Sequence, residues 1–296
     1  MKVLITGADG QLGTDLCKAL KSQRLLPLTI NDGDITDYNF IEKQCLSYRP
    51  DVIINTAACV RVDDCEDERD LAFKVNALGA RNVAVAAEKI GARLVHISTD
   101  YIFGGEDNSR SVPYTEFDHP VPCNTYGKSK LAGETLVRHL CKRHFVVRSA
   151  ALFGTAGAMG KGGNFIETIL RLAKERPELQ VVNDQIFSPT CTRDLAEKIV
   201  KIMQTELFGI FHITNSGACS WYEFTVEILR LAGIKTPVIA IKSVQYPQKA
   251  RRPRYSVLDN YQARLLGWDD MRPWQAALAD YMQEKAYLPG SPVADK

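Results

Sequence analysis

The chain has 296 residues, of which 45% are hydrophobic and 24% are charged, as in a globular protein with one large or two ordinary domains. Its formal net charge of +2 gives no broad electrostatic attraction to nucleic acid. No apolar run approaches the roughly 20 residues that a membrane-spanning helix needs. The apolar start "MKVLIT" is too short for a signal peptide. We therefore expect neither a nucleic-acid partner nor a membrane partner.

Eight cysteines are scattered through the sequence, without a Cys-x-x-Cys pair. Because a chain of this length does not need disulfides to hold its core, we expect reduced thiols and a cytoplasmic location. Neither the cysteines nor the five histidines show the spacing of zinc ligands. The sequence therefore predicts no metal site.

Short apolar strands alternate with amphipathic helices along the first half of the chain. The predicted strands are 2–6, 25–30, 51–57, 93–99 and 145–150. The predicted helices are 11–22, 68–91 and 126–144, with Gly91 as a helix stop. Continuous apolar strands separated by helices predict a parallel sheet that helices cover on both faces. The fold class is thus a doubly wound, Rossmann-like α/β fold.

From residue 151 onward the alternation is less regular. The predicted elements are a glycine-rich loop at 153–164, helices at 165–177, 192–204, 221–233 and beyond 259, and strands at 210–214 and 237–243. We predict a dinucleotide-binding domain of residues 1–150, to which 190–215 return. Residues 151–189 and 216–296 then form a smaller C-terminal substrate-binding domain.

A glycine-rich turn, "TGADGQLG", follows the first predicted strand, with Gly7, Gly10 and Gly13 at three-residue intervals. Such a turn lets a pyrophosphate approach the backbone and the N-terminus of the next helix. The alternative is a plain turn with two packing glycines, but the strand before it and the helix after it favour dinucleotide binding. Gln11 and Leu12, which lie within the turn, are included in the predicted cofactor site.

The second predicted strand ends in "INDGDI", which offers the carboxylates of Asp32 and Asp34 and then the apolar Ile35. A carboxylate at this point accepts hydrogen bonds from the ribose hydroxyls of NADH. No arginine adjoins it to bind the 2′-phosphate of NADPH. The pattern mildly favours NADH and leaves NADPH open.

The segment "NTYGKSK" (124–130) places Tyr126 four residues before Lys130, on one face of a predicted helix. Exposed pairs of this kind are common, so the spacing alone also fits a solvated helix face. Similarly, Thr99 alone would fit a hydroxyl at the end of a strand.

In combination, the glycine turn, "HISTDYIFGG" (96–105) and Tyr126-x-x-x-Lys130 resemble the extended short-chain dehydrogenase/reductase superfamily. Within it, the chain is similar to the dTDP-4-dehydrorhamnose reductase family. The motifs that carry this likeness are "STDYIF", "YGKSKLAGE", "GNF", "NDQIFSPTCTRDLA" and "RPRYSVLDN". With the first strand and turn, they span residues 5 to about 270, which is nearly the whole chain.

The resemblance implies NADPH or NADH as cofactor and reduction of the 4-keto group of a dTDP-linked 6-deoxy sugar, with dTDP-4-dehydro-L-rhamnose as the first candidate. It implies a catalytic triad of Thr99, Tyr126 and Lys130. It further implies that Ala57, Ala58 and Asn76 lie along the cofactor, beside Tyr126 and Lys130. Asp100 and Tyr101 would border the substrate.

The chemistry of ketone reduction suits these three side chains. A tyrosine hydroxyl has an ordinary pKa near 10, and we expect the Lys130 ammonium to lower the pKa of Tyr126 toward neutrality. Lys130 could also reach the nicotinamide ribose. Thr99 could donate a hydrogen bond to the carbonyl oxygen as negative charge develops.

A nucleoside diphosphate also needs cations or backbone amides. Asn164 and Phe165 open a predicted helix, whose N-terminus could meet a phosphate. Arg254, in the basic segment "QKARRPR" (248–254), resembles the family's phosphate contact. The alternative for this cluster is a solvated charged face, which we favour for Arg251.

One position departs from the family pattern. Many relatives have Arg-Thr-Ser-Trp where this chain has Arg148-Ser149-Ala150-Ala151. Ala151 is therefore expected to widen the sugar pocket, which leaves the exact sugar open. The three tryptophans, Trp221, Trp268 and Trp274, are expected to be packing residues.

Two other functions remain possible on the same scaffold. One is a non-catalytic binding subunit, like the regulatory subunit of methionine adenosyltransferase, although the triad is complete here. The other is a nucleotide-sugar epimerase or dehydratase, whose turn usually has Gly-Phe-Ile-Gly where this chain has "GQLG" (10–13). A monomer and a homodimer are both compatible with the sequence.

Overall fold

The computed structural model describes residues 1–105, 110–156 and 163–289. Its strands are β1 (Lys2–Thr6), β2 (Arg24–Leu28), β3 (Val52–Asn55), β4 (Arg93–Thr99), β5 (His144–Ser149), β6 (Leu152–Phe153), β7 (Leu179–Val182), β8 (Ile186–Phe187), β9 (Thr190–Cys191), β10 (Gly209–His212), β11 (Cys219–Ser220) and β12 (Val238–Ile241). The main sheet has six parallel strands in the order β10-β5-β4-β3-β1-β2. This sheet confirms the predicted parallel α/β fold.

Helices cover both faces of the main sheet. The α-helices of the described residues are α1 (Gln11–Ala19), α2 (Tyr38–Tyr48), α3 (Asp64–Asp67), α4 (Arg69–Phe73), α5 (Ala80–Ile90), α6 (Thr125–Leu140), α7 (Phe165–Glu175), α8 (Thr192–Ile202), α9 (Trp221–Ala232), α10 (Tyr261–Leu265) and α11 (Trp274–Glu284). Val3 and Ile5 pack on one face with Leu16 of α1 and Ile199 of α8. Leu4 packs on the opposite face, against α2, α5 and α6. This alternation along a strand produces a sheet with a core on each side.

The main differences from the predicted elements concern three helices. Helix α2 was missed because it buries only Ile41 and Cys45 among its eleven residues, which gives a weak apolar period. The predicted helix 68–91 is divided by a π-helical segment, Lys74–Gly79, although it does end at Gly91. Helix α6 ends at Leu140, not at 144, because the chain then extends into β5.

The sheet reverses its direction of winding at β1, which has β2 on one side and β3 on the other. Ligands of open α/β sheets collect at such a switch point, outside the carboxyl ends of the strands. Strand β10 pairs with β5, so the segment after 190 adds to the main sheet. The division of the chain into domains stays a prediction.

The C-terminal half contains a second core of aromatic and aliphatic residues. Helices α7, α9 and α11 pack around it, together with the parallel pair β7–β12. Trp274 belongs to this core, and Trp268 packs against the core of the main sheet. Of the predicted loop 153–164, residues 157–162 lie outside the described residues. Among the described helices, none is long and apolar enough to span a bilayer.

Candidate active site

A cleft of about 690 Å³ follows the carboxyl ends of the central strands. It collects residues that lie far apart in the sequence but that were predicted to share one site. Those lining it are Gly7, Gly10, Gln11, Leu12, Gly13, Asp34, Ile35, Ala57, Ala58, Thr99, Asp100, Tyr101, Tyr126, Lys130 and Ala151. The glycine turn and the Tyr-x-x-x-Lys helix therefore border the same space.

Five predicted site residues do not line the cleft. Asp32 is exposed, and its carboxylate accepts hydrogen bonds from the backbone and hydroxyl of Thr29, both at 2.8 Å. Asn164 caps α7 and donates to the Tyr281 hydroxyl at 2.9 Å. The other three that lie outside the lining are Asn76, Phe165 and Arg254.

Phe165 lies against a residue of the cleft lining, and Arg254 lies at the surface. The side chain of Phe165 packs against Trp221, with ring centroids 4.5 Å apart. Arg254 is exposed. Its neighbour Arg252 forms a bidentate ion pair with Asp63, at 2.9 and 2.8 Å, so this part of the basic cluster is neutralised within the protein. Arg251 is exposed and has a partner as well.

The glycine turn has the shape that a dinucleotide requires. Gly7 has φ +69°, and a Cβ there would lie 2.8 Å from the Thr56 hydroxyl. A Cβ on Gly13 would lie 2.2 Å from the Gly7 carbonyl oxygen. Helix α1 begins after Gly10 without a side-chain cap and without an acidic residue in its first turn. Its free amides and dipole are thus available to a phosphate.

Asn76 lies next to the cleft, where it contacts the lining residue Cys59. It is 1% exposed, accepts a hydrogen bond from the Cys59 backbone N–H at 2.8 Å and donates to the Cys59 carbonyl at 3.1 Å. It also donates to the hydroxyl of Ser129 in α6 at 2.9 Å. Asn76 therefore joins the loop that carries Ala57 and Ala58 to the helix that carries Tyr126.

The start of α6 is fixed from two sides. The side chain of Asn124 caps the helix by accepting from the Gly127 N–H at 2.8 Å. Glu66 of α3 accepts from the backbone N–H and the hydroxyl of Thr125, at 2.8 and 2.7 Å. The next residue is Tyr126, so its position in the cleft depends on both contacts.

Lys130 lies one helical turn from Tyr126 and is buried. Its Nζ donates to the backbone carbonyl of Ile97 at 2.7 Å. Burial lowers the pKa of Lys130 to about 8, an effect that the nearby Glu134 carboxylate opposes. The ammonium is therefore oriented by β4.

The expected lowering of the pKa of Tyr126 is not found. Burial raises the pKa of this hydroxyl, and a hydrogen bond with Thr99 only partly opposes the rise. Lys130 is not among the leading causes of this shift, and its Nζ donates to the Ile97 carbonyl. The prediction of a lowered pKa was wrong for this structure, in which desolvation dominates.

Asp100 is a buried carboxyl at the end of β4. Its oxygens accept from the hydroxyl of Ser256 at 2.6 Å and from that of Thr99 at 3.1 Å. Burial raises the pKa of Asp100 to about 7, against the opposing effect of these two hydrogen bonds. Asp100 thus links the carboxyl end of β4 to the segment after Pro253.

Sequence reasoning missed the aromatic wall of the cleft. Trp221 and Phe187 both line it, with ring centroids 4.0 Å apart, so Trp221 does more than pack. Ile186 lies beside them. Ile186 and Phe187 belong to the motif "NDQIFSPTCTRDLA", which in sequence indicates only the family resemblance. Strand β8, which contains Ile186 and Phe187, pairs with β11, and Trp221 directly follows β11. This pairing brings Phe187 and Trp221 together in the cleft.

Ala151 lines the cleft as predicted and has an unusual backbone. Its φ of +41° lies in the left-handed region, which costs an L-residue roughly 1–2 kcal/mol. The small side chain leaves the space beside the aromatic wall open. In the part of the chain that the structure describes, no cluster of three or more His, Cys, Asp or Glu side chains could hold a metal ion.

The chain has a parallel sheet, an uncapped glycine turn after the first strand and a Tyr-x-x-x-Lys helix beside the same cleft. This combination defines the short-chain dehydrogenase/reductase class. Comparison with known proteins narrows this class. The family model for the RmlD substrate binding domain matches residues 1–287. The chain belongs to this family.

Several known proteins are similar to this chain along nearly its whole length. The spore coat polysaccharide biosynthesis protein SpsK of Bacillus subtilis is 42% identical, covering 96% of this chain and 98% of its own. A dTDP-4-dehydrorhamnose reductase structure from Clostridium acetobutylicum has a TM-score of 0.92 at 43% identity, covering 97% and 100% of the two chains. The Bacillus anthracis enzyme in complex with NADP has a TM-score of 0.90 at 42% identity, covering 96% and 99%. The resemblance predicted from the motifs is confirmed.

Proposed function

We propose that the protein uses NADPH or NADH to reduce the 4-keto group of a dTDP-linked 6-deoxy sugar, with dTDP-4-dehydro-L-rhamnose as the first substrate to test. The observation that carries this proposal is the meeting of Thr99, Tyr126 and Lys130 with the glycine turn in one cleft. Membership of the RmlD family and the names of its relatives support the same reaction. We further propose a cytoplasmic location, which the eight free cysteines support.

The residues of the cleft fit a nicotinamide dinucleotide. The amides of the glycine turn and the uncapped start of α1 would hold the pyrophosphate. Asp34, at the cleft, would accept from the adenosine ribose, and this role belongs to Asp34 in preference to Asp32. When bound, the nicotinamide supplies a hydride to the C4 carbon of the sugar.

Tyr126 would donate the proton that the C4 oxygen needs. Its raised pKa keeps the hydroxyl protonated at neutral pH, and the alkoxide formed by reduction is a far stronger base than a phenolate. Thr99 would donate a hydrogen bond to the same oxygen. The phenolate left on Tyr126 would be stabilised by the nearby positive charge of Lys130.

The open space at Ala151 and the aromatic pair Phe187 and Trp221 would receive the sugar nucleotide. An aromatic wall suits a thymine ring, which stacks on aromatic faces. With alanine at 151, the sugar end of the pocket is wider than a tryptophan would leave it. We therefore expect tolerance of bulkier 4-keto sugars.

The test is a cofactor-oxidation assay, followed at the nicotinamide absorbance, across dTDP- and GDP-linked 4-keto sugars. Tyr126→Phe should lower kcat by roughly 10²–10⁴-fold, because it removes the proton donor and leaves the ring. Tyr48→Phe, at the end of α2 and absent from the lining of the cleft, is the matched control and should keep full activity. Cofactor binding without turnover of any keto sugar would refute the reductase and favour a non-catalytic binding subunit.

A further inference from the structure

Two cysteines lie in contact at the edge of the active-site cleft. Cys59 follows Ala58 in the loop after β3, and its Sγ lies 3.7 Å from the Sγ of Cys65 in α3. Cys59 lines the cleft and is partly exposed, whereas Cys65 is fully buried. One sulfur can therefore be reached from the cleft, and the other lies directly behind it.

The two thiols differ in acidity. A hydrogen bond from Cys65 lowers the pKa of Cys59 to about 7, although burial opposes this shift. The same contact raises the pKa of Cys65, and burial raises it further. Cys59, with the more acidic and accessible thiol, is suited to attack an oxidant, and Cys65, with the buried and protonated thiol, is suited to form the disulfide with it afterwards.

The other cysteines lack this combination. Four of them are buried: Cys45, Cys141, Cys191 and Cys219. Cys17 and Cys123 are partly exposed, but burial raises the pKa of each thiol. No second pair of cysteine sulfurs within hydrogen-bonding distance occurs among the described residues.

We propose that Cys59 and Cys65 form an oxidative modification site, at which a peroxide converts the dithiol into a disulfide. The Cys59 thiolate attacks one peroxide oxygen, the O–O bond breaks, and the leaving hydroxide takes up the proton that Cys59 lost. The Cys65 sulfur then attacks the Cys59 sulfenic acid, and its proton leaves with the hydroxyl as water. In sum, two thiols and one peroxide give one disulfide and two waters.

Closing this bond would disturb the catalytic helix. The sulfurs must approach from 3.7 Å to about 2 Å. Asn76 holds the backbone of Cys59 to α6, and Glu66, next to Cys65, holds the first residue of the same helix. Movement of either anchor is transmitted to the start of α6 and so to Tyr126. The disulfide should therefore lower activity, a consequence that rests on the proposed reductase function.

The experiment treats the folded, full-length protein with one equivalent of hydrogen peroxide and maps its peptides by mass spectrometry after blocking free thiols. We expect a Cys59–Cys65 crosslink, lighter by two hydrogens, which dithiothreitol reverses. Cys17→Ser is the matched control and should form the same crosslink. In Cys65→Ser, dimedone should trap a sulfenic acid on Cys59 in place of the disulfide.

Activity and cofactor protection are measured in the same samples. The oxidised enzyme should lose roughly 10- to 100-fold in kcat/KM, a loss that dithiothreitol restores. Saturating NADPH should slow the crosslink, because Cys59 lines the cleft. If the crosslink forms in a protein that never turns over a keto sugar, the proposed function fails and the modification site stands. If the protein stays folded by circular dichroism and another cysteine is oxidised first, the proposed site is wrong.

Discussion

Asn76 joins the loop that carries Ala57 and Ala58 to helix α6. The Asn76→Ala variant can therefore show whether Asn76 positions this loop or contacts the cofactor directly, as the family resemblance implies. The side chain makes three hydrogen bonds, at 2.8 and 3.1 Å to the backbone of Cys59 and at 2.9 Å to Ser129. At about 0.5–1.5 kcal/mol each, their loss should lower the free energy of unfolding by about 2–4 kcal/mol. The melting temperature should fall by roughly 3–6 °C, given the entropy of unfolding of a chain of 296 residues.

The same variant should weaken cofactor binding. Without the Asn76 side chain, the loop that carries Ala57 and Ala58 loses its link to α6. Part of the free energy of cofactor binding is then spent on ordering this loop. A cost of about 1.4 kcal/mol would raise the Kd for NADPH tenfold. Fluorescence titration measures the Kd. Steady-state kinetics should show a raised KM for NADPH with a smaller change in kcat.

Asn215→Ala is the matched control for this experiment. Asn215 is also buried and makes three hydrogen bonds, to Cys191 and Asp194 at 2.8 Å and to Arg272 at 3.1 Å, but none of these partners belongs to the loop after β3 or to α6. It should lose similar stability and keep its Kd for NADPH. The positioning role is refuted if both variants weaken NADPH binding equally. It is also refuted if Asn76→Ala weakens binding without losing stability, which is the signature of a direct contact.

Three further predictions follow from the charges and the backbone of the site. Burial raises the pKa of Asp100 from 3.8 to about 7, so the contribution of its protonated form to folding stability is present at pH 4 and is lost as the pH rises through 7. Relative to Asp100→Asn, the wild-type protein should therefore lose up to about 4 kcal/mol of unfolding free energy between pH 4 and 8, as measured by denaturant titration. The kcat of the wild-type enzyme should fall above about pH 8, where Lys130 loses its proton. The Lys130→Met variant should have a lower kcat, and its pH profile should not show this fall. Ala151→Gly should raise stability by about 0.5–1 kcal/mol, since glycine accepts the φ of +41°, and an unchanged or lower melting temperature would contradict this.

Much of the main sheet could be predicted because its strands are continuous apolar runs. Val3, Leu4 and Ile5 are all fully buried, which is what a parallel strand covered on both faces requires. The glycine turn was predictable for a similar reason, since strand, turn and helix are contiguous in sequence. The Tyr126–Lys130 spacing was visible, but its meaning depended on Thr99, 27 residues earlier.

Contacts between distant segments could not be predicted in the same way. Nothing local distinguishes Asp32 from Asp34, yet Asp34 lines the cleft and Asp32 instead accepts two hydrogen bonds from Thr29. Cys59 and Cys65 were counted among scattered thiols, because their contact depends on how α3 folds back on the loop after β3. The roles of the individual site residues stay predictions until the variants are measured.

The electrostatics of the cleft favour one direction of proton transfer. Burial raises the pKa of Tyr126 and lowers that of Lys130 to about 8, so both groups keep their protons at neutral pH. A protonated tyrosine cannot remove a proton from an alcohol, but it can donate one to an alkoxide. Because Lys130 is turned toward Ile97 at 2.7 Å, its help must come as the phenolate forms and draws the ammonium toward it. In the proposed reduction of a ketone, Tyr126 would therefore begin the reaction as the proton donor.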